Sequence, residues 1–194
     1  MKSSTMYQQV ILASSSQARI EYLENAKVDF KVRPHKINES SFKKKKGTFK
    51  KIVEELAEMK ARSINKNKNE TIIGSDQILV CEKKIIDKPR TIQEAKQNLI
   101  FLRNKKHKLI SSIVVINMEN IIFKETKEAI IKMKNISDSN IELYLSKNKQ
   151  TALSCVGSYK IEENNKYNFL DVIKGDTETI IGFPASEFIE RLKK

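Results

Sequence analysis

Three short stretches of this chain carry residue types that can hold phosphate or move a proton. Ser14-Ser15-Ser16 stands between an apolar run and a stretch with helical spacing. Free N–H groups and hydroxyls would gather there at a helix N-terminus, where the helix dipole also favours an anion. Arg19 follows one turn into that helix and could fork onto a phosphate oxygen. The ordinary alternative is a serine N-cap beside a surface arginine. Gly74-Ser75-Asp76-Gln77 puts a carboxylate at the tip of an apolar run, beside a glycine that would let a ligand approach. Such a carboxylate suits a metal ligand or a general base, although an Asp at a strand end is often only a turn residue. In Asp87-Lys88-Pro89 the proline fixes the backbone after Lys88, which could aim its ammonium at phosphate. Gly175-Asp176 and Gly182-Phe183-Pro184 read as turns, with no chemistry of their own.

Glu39 and Glu162 are isolated acidic residues in basic surroundings, and either could hold a metal or a base edge. His35 and His107 are the only histidines, and no Ser-His-Asp spacing is visible, which argues against triad catalysis. No GxxxxGK[ST] loop is present, so a P-loop is excluded. Cys81 and Cys155 form no CxxC pair, which argues against a zinc site or a disulfide framework.

The elements that must position these residues follow from the apolar pattern. Val10 to Ala13 predicts a buried strand, and Ile20, Leu23 and Ala26 continue it as a helix. Val28 to Val32 alternates as a second strand would. Ile52, Val53, Leu56, Met59 and Ile64 predict an amphipathic helix over 49–64, with Lys60 near the edge of its apolar stripe. Thr71 to Gly74 predicts a strand that stops at Ser75-Asp76-Gln77, followed by a hairpin over Ile78–Cys81 and Ile85-Ile86. Thr91 and Glu94 form a capping box for a helix through Leu102. Leu109 to Ile116 predicts a strand, Ile121 to Met133 one or two more, and Glu178 to Ile181 another. Ser137 or Ser139 would cap a helix over Ile141–Leu145. Pro184 falls where a first helical residue is expected, opening a last helix to Leu192. Strands and helices interleave throughout, so the class is α/β with a mixed, mainly central sheet in one domain over 1–194.

The chain has 194 residues, of which 39% are hydrophobic. No apolar run approaches the roughly 20 residues that span a bilayer. The first nine residues are polar and lack a secretory signal's apolar stretch, so the expected address is cytoplasmic. The net charge of +13 points to an anionic partner: nucleic acid, a membrane surface or a phosphorylated small molecule. Much of the surplus is scattered lysine, which also fits a solvated surface, and Lys43-Lys44-Lys45-Lys46 reads as an exposed loop. Aromatic residues do not alternate with basic ones, so a stacking platform for single strands is missing.

The order of these motifs resembles the Maf family of nucleotide pyrophosphatases. That family opens with L-A-S-x-S-P-x-R, seen here as Leu12 to Arg19, and continues with an acidic residue matched by Glu39. Then come L-A-x-x-K-A (Leu56 to Ala61), G-[AS]-D-[TQ] (Gly74 to Gln77) and K-P (Lys88-Pro89). L-x-G-x-x-H follows as Leu102 to His107, G-[AS]-[YF] as Gly157-Ser158-Tyr159, and G-L-P as Gly182-Phe183-Pro184. Gln17, Ala18, Asn104 and Ser111-Ser112 depart from the pattern. The resemblance implies a Maf/ITPase-like fold of two lobes with a cleft between them. It implies hydrolysis of a nucleoside triphosphate to monophosphate and pyrophosphate with a divalent cation, Mg²⁺ or Mn²⁺. It implies Asp76, Lys60 and Lys88 as the catalytic set and Glu39 with Asp76 as metal ligands. Ser14, Ser16 and Arg19 would hold phosphate, while Gln77 and Glu162 would read the base. It also implies a homodimer, with neither membrane nor nucleic acid as partner. Gly74-Ser75-Asp76-Gln77 and Glu162 side with members resembling 7-methyl-GTP pyrophosphatase, whose cationic base a carboxylate would favour. The alternatives are a dTTP/UTP pyrophosphatase of the same family, or a non-catalytic basic protein acting on nucleic acid or in cell-division control.

Overall fold

The structure is a computed structural model, and it describes residues 9–38, 47–64, 67 and 69–193. Glu39 and the run from Lys43 to Lys46 lie outside the described residues. In chain order the elements are β1 (Gln9–Leu12), α1 (Gln17–Asn25), β2 (Phe30–Val32), α2 (Phe49–Arg62), β3 (Glu70–Cys81), β4 (Lys84–Ile86) and α3 (Ile92–Leu102). There follow β5 (Lys106–Asn117), β6 (Asn120–Met133), α4 (Asp138–Lys147), α5 (Lys149–Ser154), α6 (Asn164–Tyr167), β7 (Leu170–Lys174), α7 (Thr177–Ile181) and α8 (Ser186–Leu192). Single 3₁₀ turns occupy Val156–Ser158 and Ile161–Glu163. The strands form one mixed sheet in the order β2-β1-β3-β5-β6-β7, with β4 on β3. β1 runs parallel to both β2 and β3, while β4 pairs antiparallel with β3 and β7 with β6. The expected α/β class with a mixed sheet is what the chain forms.

The chain gathers into two compact units: Met1–Asp76 with Ser111–Lys127 and Gly182–Lys194, and Gln77–Ile110 with Glu128–Ile181. In the first, α2 is the element that matters most for the site. Thr48 caps it by accepting from the Lys51 N–H. Its buried face carries Ile52, Val53, Leu56, Ala57, Lys60 and Ala61. Ala57 and Ala61 pack with Ile11, Ala13, Ile72, Val114 and Ile116 in the core. Small alanines on that face let the helix backbone come close to the sheet. In the second unit, Leu79, Leu99, Leu102, Ile131, Ile141, Tyr144 and Phe169 lie in one apolar core. Thr91 caps α3 by accepting from the Glu94 N–H, and the Glu94 carboxylate accepts from the Arg90 N–H at 2.7 Å. Of the two serines proposed for α4, Ser137 is the cap.

Three expectations need correction. The strand predicted to stop at Gly74 runs on without a break, so Ser75, Asp76 and Gln77 lie inside β3. Polarity suggested an end, but each of these side chains finds a partner within the fold, which offsets part of the cost of burying it. Glu178 to Ile181 forms not a strand but most of α7. The β-branched residues there suggest a strand, yet the Asp176 carboxylate accepts from both the N–H and the hydroxyl of Thr179, at 2.7 and 2.6 Å. That cap starts a helical turn, and local capping wins over propensity. The strand of this region is instead β7, which the apolar pattern hid because only Leu170 of its five residues is buried. Ile121 to Met133 forms a single strand, and the last helix starts at Ser186, two residues past Pro184.

Candidate active site

Gly74 and Asp76 are two residues apart in β3 and therefore share a face. That face meets α2. A Cβ on Gly74 would lie 2.1 Å from the Ala57 carbonyl oxygen and 2.6 Å from the Ala61 nitrogen. The glycine thus admits the backbone of α2, not a ligand as its position in the motif suggested. Lys60 lies on the same helix face, one residue before Ala61, and its Nζ donates to Asp76 Oδ1. Both side chains are almost fully buried, at 5% and 4% exposure. Oδ2 of Asp76 is also buried and has no hydrogen-bond partner. A carboxylate oxygen withdrawn from water with its acceptor capacity unused is a reactive feature, since burial without a partner costs free energy unless a ligand supplies one.

Arg19 reaches the same strand from α1. It is 8% exposed. Its Nη1 donates to the Ser75 carbonyl at 2.7 Å and to Ser14 Oγ at 3.3 Å, and its Nε to the Gly182 carbonyl at 3.2 Å. The Ser75 hydroxyl donates to the same Gly182 carbonyl at 2.9 Å. Tyr22 and Phe183 meet edge to face at 5.6 Å beside this clamp. Arg19 therefore fastens the serine turn, the middle of β3 and the closing Gly-Phe-Pro to one another. The Ser16 N–H donates to Ser14 Oγ at 3.2 Å, and the Ser16 side chain itself caps nothing. Ser14 is buried, Ser15 exposed and Ser16 half-buried. The first unit thus brings together Ser14, Ser16, Arg19, Lys60 and Asp76. The Ser75–Asp76 peptide links them: its carbonyl accepts from Arg19, and the following side chain pairs with Lys60.

Gln77, Lys88 and Glu162 belong to the second unit. Gln77 is half-buried, and its carboxamide donates to the carbonyls of Thr179 and Ile180 at 3.0 and 2.9 Å. α7 therefore fixes the orientation of that side chain. Lys88 is exposed next to buried Pro89, and Glu162 is exposed on the turn Ile161–Glu163. Lys88, Lys160 and Glu162 share a neighbourhood, for all three act electrostatically on the Cys155 thiol, which burial pushes up. Gly157 and Ser158 both adopt left-handed backbone, with φ of 73° and 66°. A Cβ on Gly157 would lie 2.5 Å from Leu79 Cδ1, so that position requires glycine. Below it, His107 Nε2 and the Tyr159 hydroxyl share a buried hydrogen bond of 2.6 Å. Burial pushes His107 down to about 4, so the ring is neutral at physiological pH.

Sequence reasoning missed the use of Gly182, Thr179 and Ile180, whose backbone carbonyls hold Arg19, Ser75 and Gln77. No side-chain signal could mark them, although Gly-Phe-Pro did mark the turn. Among the described residues no cluster of three or more His, Cys, Asp or Glu could hold a metal. Nor is any helix among them long and apolar enough to cross a membrane.

The family model described as Maf-like protein matches residues 9–194, and the chain belongs to that family. It is 36% identical over 193 residues to a nucleoside triphosphate pyrophosphatase of Pelagibacter ubique, covering 97% of this chain and 98% of the relative. It is 31% identical over 189 residues to a protein of the same description from Paramagnetospirillum magneticum, covering 95% and 97%. It is 34% identical over 187 residues to a dTTP/UTP pyrophosphatase of Fusobacterium nucleatum, covering 95% and 94%.

Proposed function

We propose that this protein is a nucleoside triphosphate pyrophosphatase that releases pyrophosphate by attack of water on the α-phosphorus. The observation that carries the reading is Asp76: a buried carboxylate held on one oxygen by Lys60 and unpartnered on the other. The names of the relatives support it from outside.

Asp76 acts as general base. Its free Oδ2 accepts the water proton, while Lys60 on Oδ1 holds the carboxylate in place. The triphosphate is a polyanion, so the site must supply positive charge where it binds. Lys88 and Lys60 provide it as ammonium groups, and Arg19 as a guanidinium set behind the serine turn. Ser14 and Ser16 hold phosphate oxygens at the start of α1. The unpartnered Oδ2 is also a hard oxygen donor that fits a divalent cation, Mg²⁺ or Mn²⁺, with Glu39 as second ligand. Such a cation, when bound, neutralises charge on the phosphates and lowers the pKa of a bound water. Gln77 and Glu162 read the base. The Glu162 carboxylate favours a cationic base such as 7-methylguanine; the Fusobacterium relative favours dTTP or UTP as a second reading. The working assembly is a homodimer in the cytoplasm.

The test is a panel of triphosphates, 7-methyl-GTP, dTTP and UTP among them, with and without Mg²⁺ or Mn²⁺. Metal-dependent pyrophosphate release with a clear base preference is expected. A protein that binds these nucleotides and releases nothing from any of them is a binder, not an enzyme.

A further inference from the structure

α3 carries an asparagine in its interior, Asn98, where helix propensity gives no reason for one. Its neighbours Ala95, Leu99 and Leu102 on the same helix are buried, so its backbone is fixed by the core of the second unit. The half-buried carboxamide of Asn98 makes two contacts through one nitrogen. Nδ2 donates to the Asp87 carbonyl at 3.3 Å and to Ser158 Oγ at 3.2 Å. A carbonyl can only accept, so the first contact decides which end of the carboxamide is the NH2 group. That group has two hydrogens, one for each partner.

The two partners lie in the two segments that the proposed reaction needs from this unit. The Asp87 carbonyl belongs to the peptide that leads into Lys88, and Pro89 stiffens the chain on the other side. Ser158 is the second of two left-handed residues, a conformation that a side chain other than glycine rarely adopts. The same turn is pinned one residue later by the His107–Tyr159 hydrogen bond and runs on through Lys160 to Glu162. We infer that Asn98 is a positioning residue that ties the Lys88 segment to the turn carrying Glu162, so that the grip on phosphate and the reading of the base are set together. The inference rests on the proposed roles of Lys88 and Glu162. It assigns Asn98 no contact with substrate.

Asn98→Asp keeps the shape and removes both donors. Relative to the unsubstituted protein, KM for the preferred triphosphate should rise about fivefold or more, with kcat within about threefold. The ratio of kcat/KM between preferred and poor bases should shrink by a similar factor. Ser158→Ala removes one acceptor and keeps the Asp87 bond, so it should narrow base preference while moving KM less. Hydrogen exchange of the nucleotide-free proteins adds a readout independent of turnover. The amides of Lys88 and of residues 158–162 should exchange faster in Asn98→Asp while those of β5 stay protected. Unchanged exchange in those two segments overturns the inference. So does a loss confined to kcat and equal for every base, which is what general damage to the fold gives. If the unsubstituted protein releases pyrophosphate from no triphosphate, the proposed function fails by itself. The exchange measurement then still decides whether Asn98 joins the two segments.

Discussion

Lys60 and Asp76 form a pair whose members cannot be removed alike. Asp76→Asn keeps the size of the side chain and a carbonyl oxygen for Lys60, but loses the basicity. Turnover should drop by orders of magnitude, with nucleotide binding largely kept, as pyrophosphate release and a binding titration would read. Near-normal turnover in that variant takes the role of base away from Asp76. Lys60→Met strands the carboxylate in the interior and should cost on the order of 3–5 kcal/mol, measured by urea unfolding. Adding Asp76→Asn to Lys60→Met removes the stranded charge and should restore much of that loss. If the double variant is no more stable than Lys60→Met, the pair is not what sets the cost. At this scale the sequence was legible for several of the side chains given roles in the proposed reaction. Ser14, Arg19 and Asp76 were identifiable by type and spacing and Lys60 through the family resemblance, and all four lie in the first unit. The role of Arg19 was less so: a guanidinium was expected to face phosphate, and its N–H groups instead hold Ser14, Ser75 and Gly182.

Among the elements, α2 and β3 are joined by an absence, the missing side chain of Gly74. Gly74→Ala places a methyl against the Ala57 carbonyl, so the helix must withdraw from the strand. Overpacking of this kind costs about 1–3 kcal/mol. Activity should fall further than stability, because Lys60 retreats with the helix. A Gly74→Ala protein with full activity at a temperature where it is folded would show that the close approach does not place Lys60. The same scale explains the misread elements. Strand β3 looked interrupted because polar residues interrupt its apolar run, and only the partners of Ser75, Asp76 and Gln77 reveal how the strand carries them. α7 looked like a strand because β-branched residues are counted more easily than the Asp176 cap that overrules them. Asn104 stands where the family pattern has glycine, and its φ of 59° explains why. Asparagine is among the few residues with a side chain that tolerate left-handed backbone.

For the whole molecule the order of motifs along the chain was the strongest signal, since no single motif decided the family. The charge was the weakest. Many lysines sit in surface ion pairs, such as Lys96 with Glu142, Lys105 with Glu82 and Lys124 with Glu54. Exposed pairs of this kind add about 0–1 kcal/mol each, so they say little about stability. Acid should weaken the fold over two overlapping pH ranges. Burial holds His107 at about 4 against an ordinary 6.5, so between those values only the unfolded chain takes up the proton. Stability is therefore full above pH 6.5 and declines as pH falls toward 4. Arg33, donating to both Glu70 oxygens at 2.8 and 2.9 Å, holds that carboxyl at about 2 against an ordinary 4.5. Its share is present above pH 4.5 and is lost as pH falls toward 2. In His107→Gln the urea midpoint should stay level between pH 6.5 and 5 and then fall as before. A decline as steep as in the unsubstituted protein over that first interval would clear His107 of the effect.

The Arg19 clamp has a consequence for synthesis. A ribosome making this chain from its N-terminus produces the guanidinium and the Ser75 hydroxyl long before the Gly182 carbonyl that both require. A nascent chain, or one cut short ahead of residue 182, holds Asp76 and Lys60 but lacks the carbonyl that Arg19 and Ser75 share. In such a product Arg19 can still reach Ser14 and the Ser75 carbonyl, but the closing Gly-Phe-Pro is not there to be tied to them.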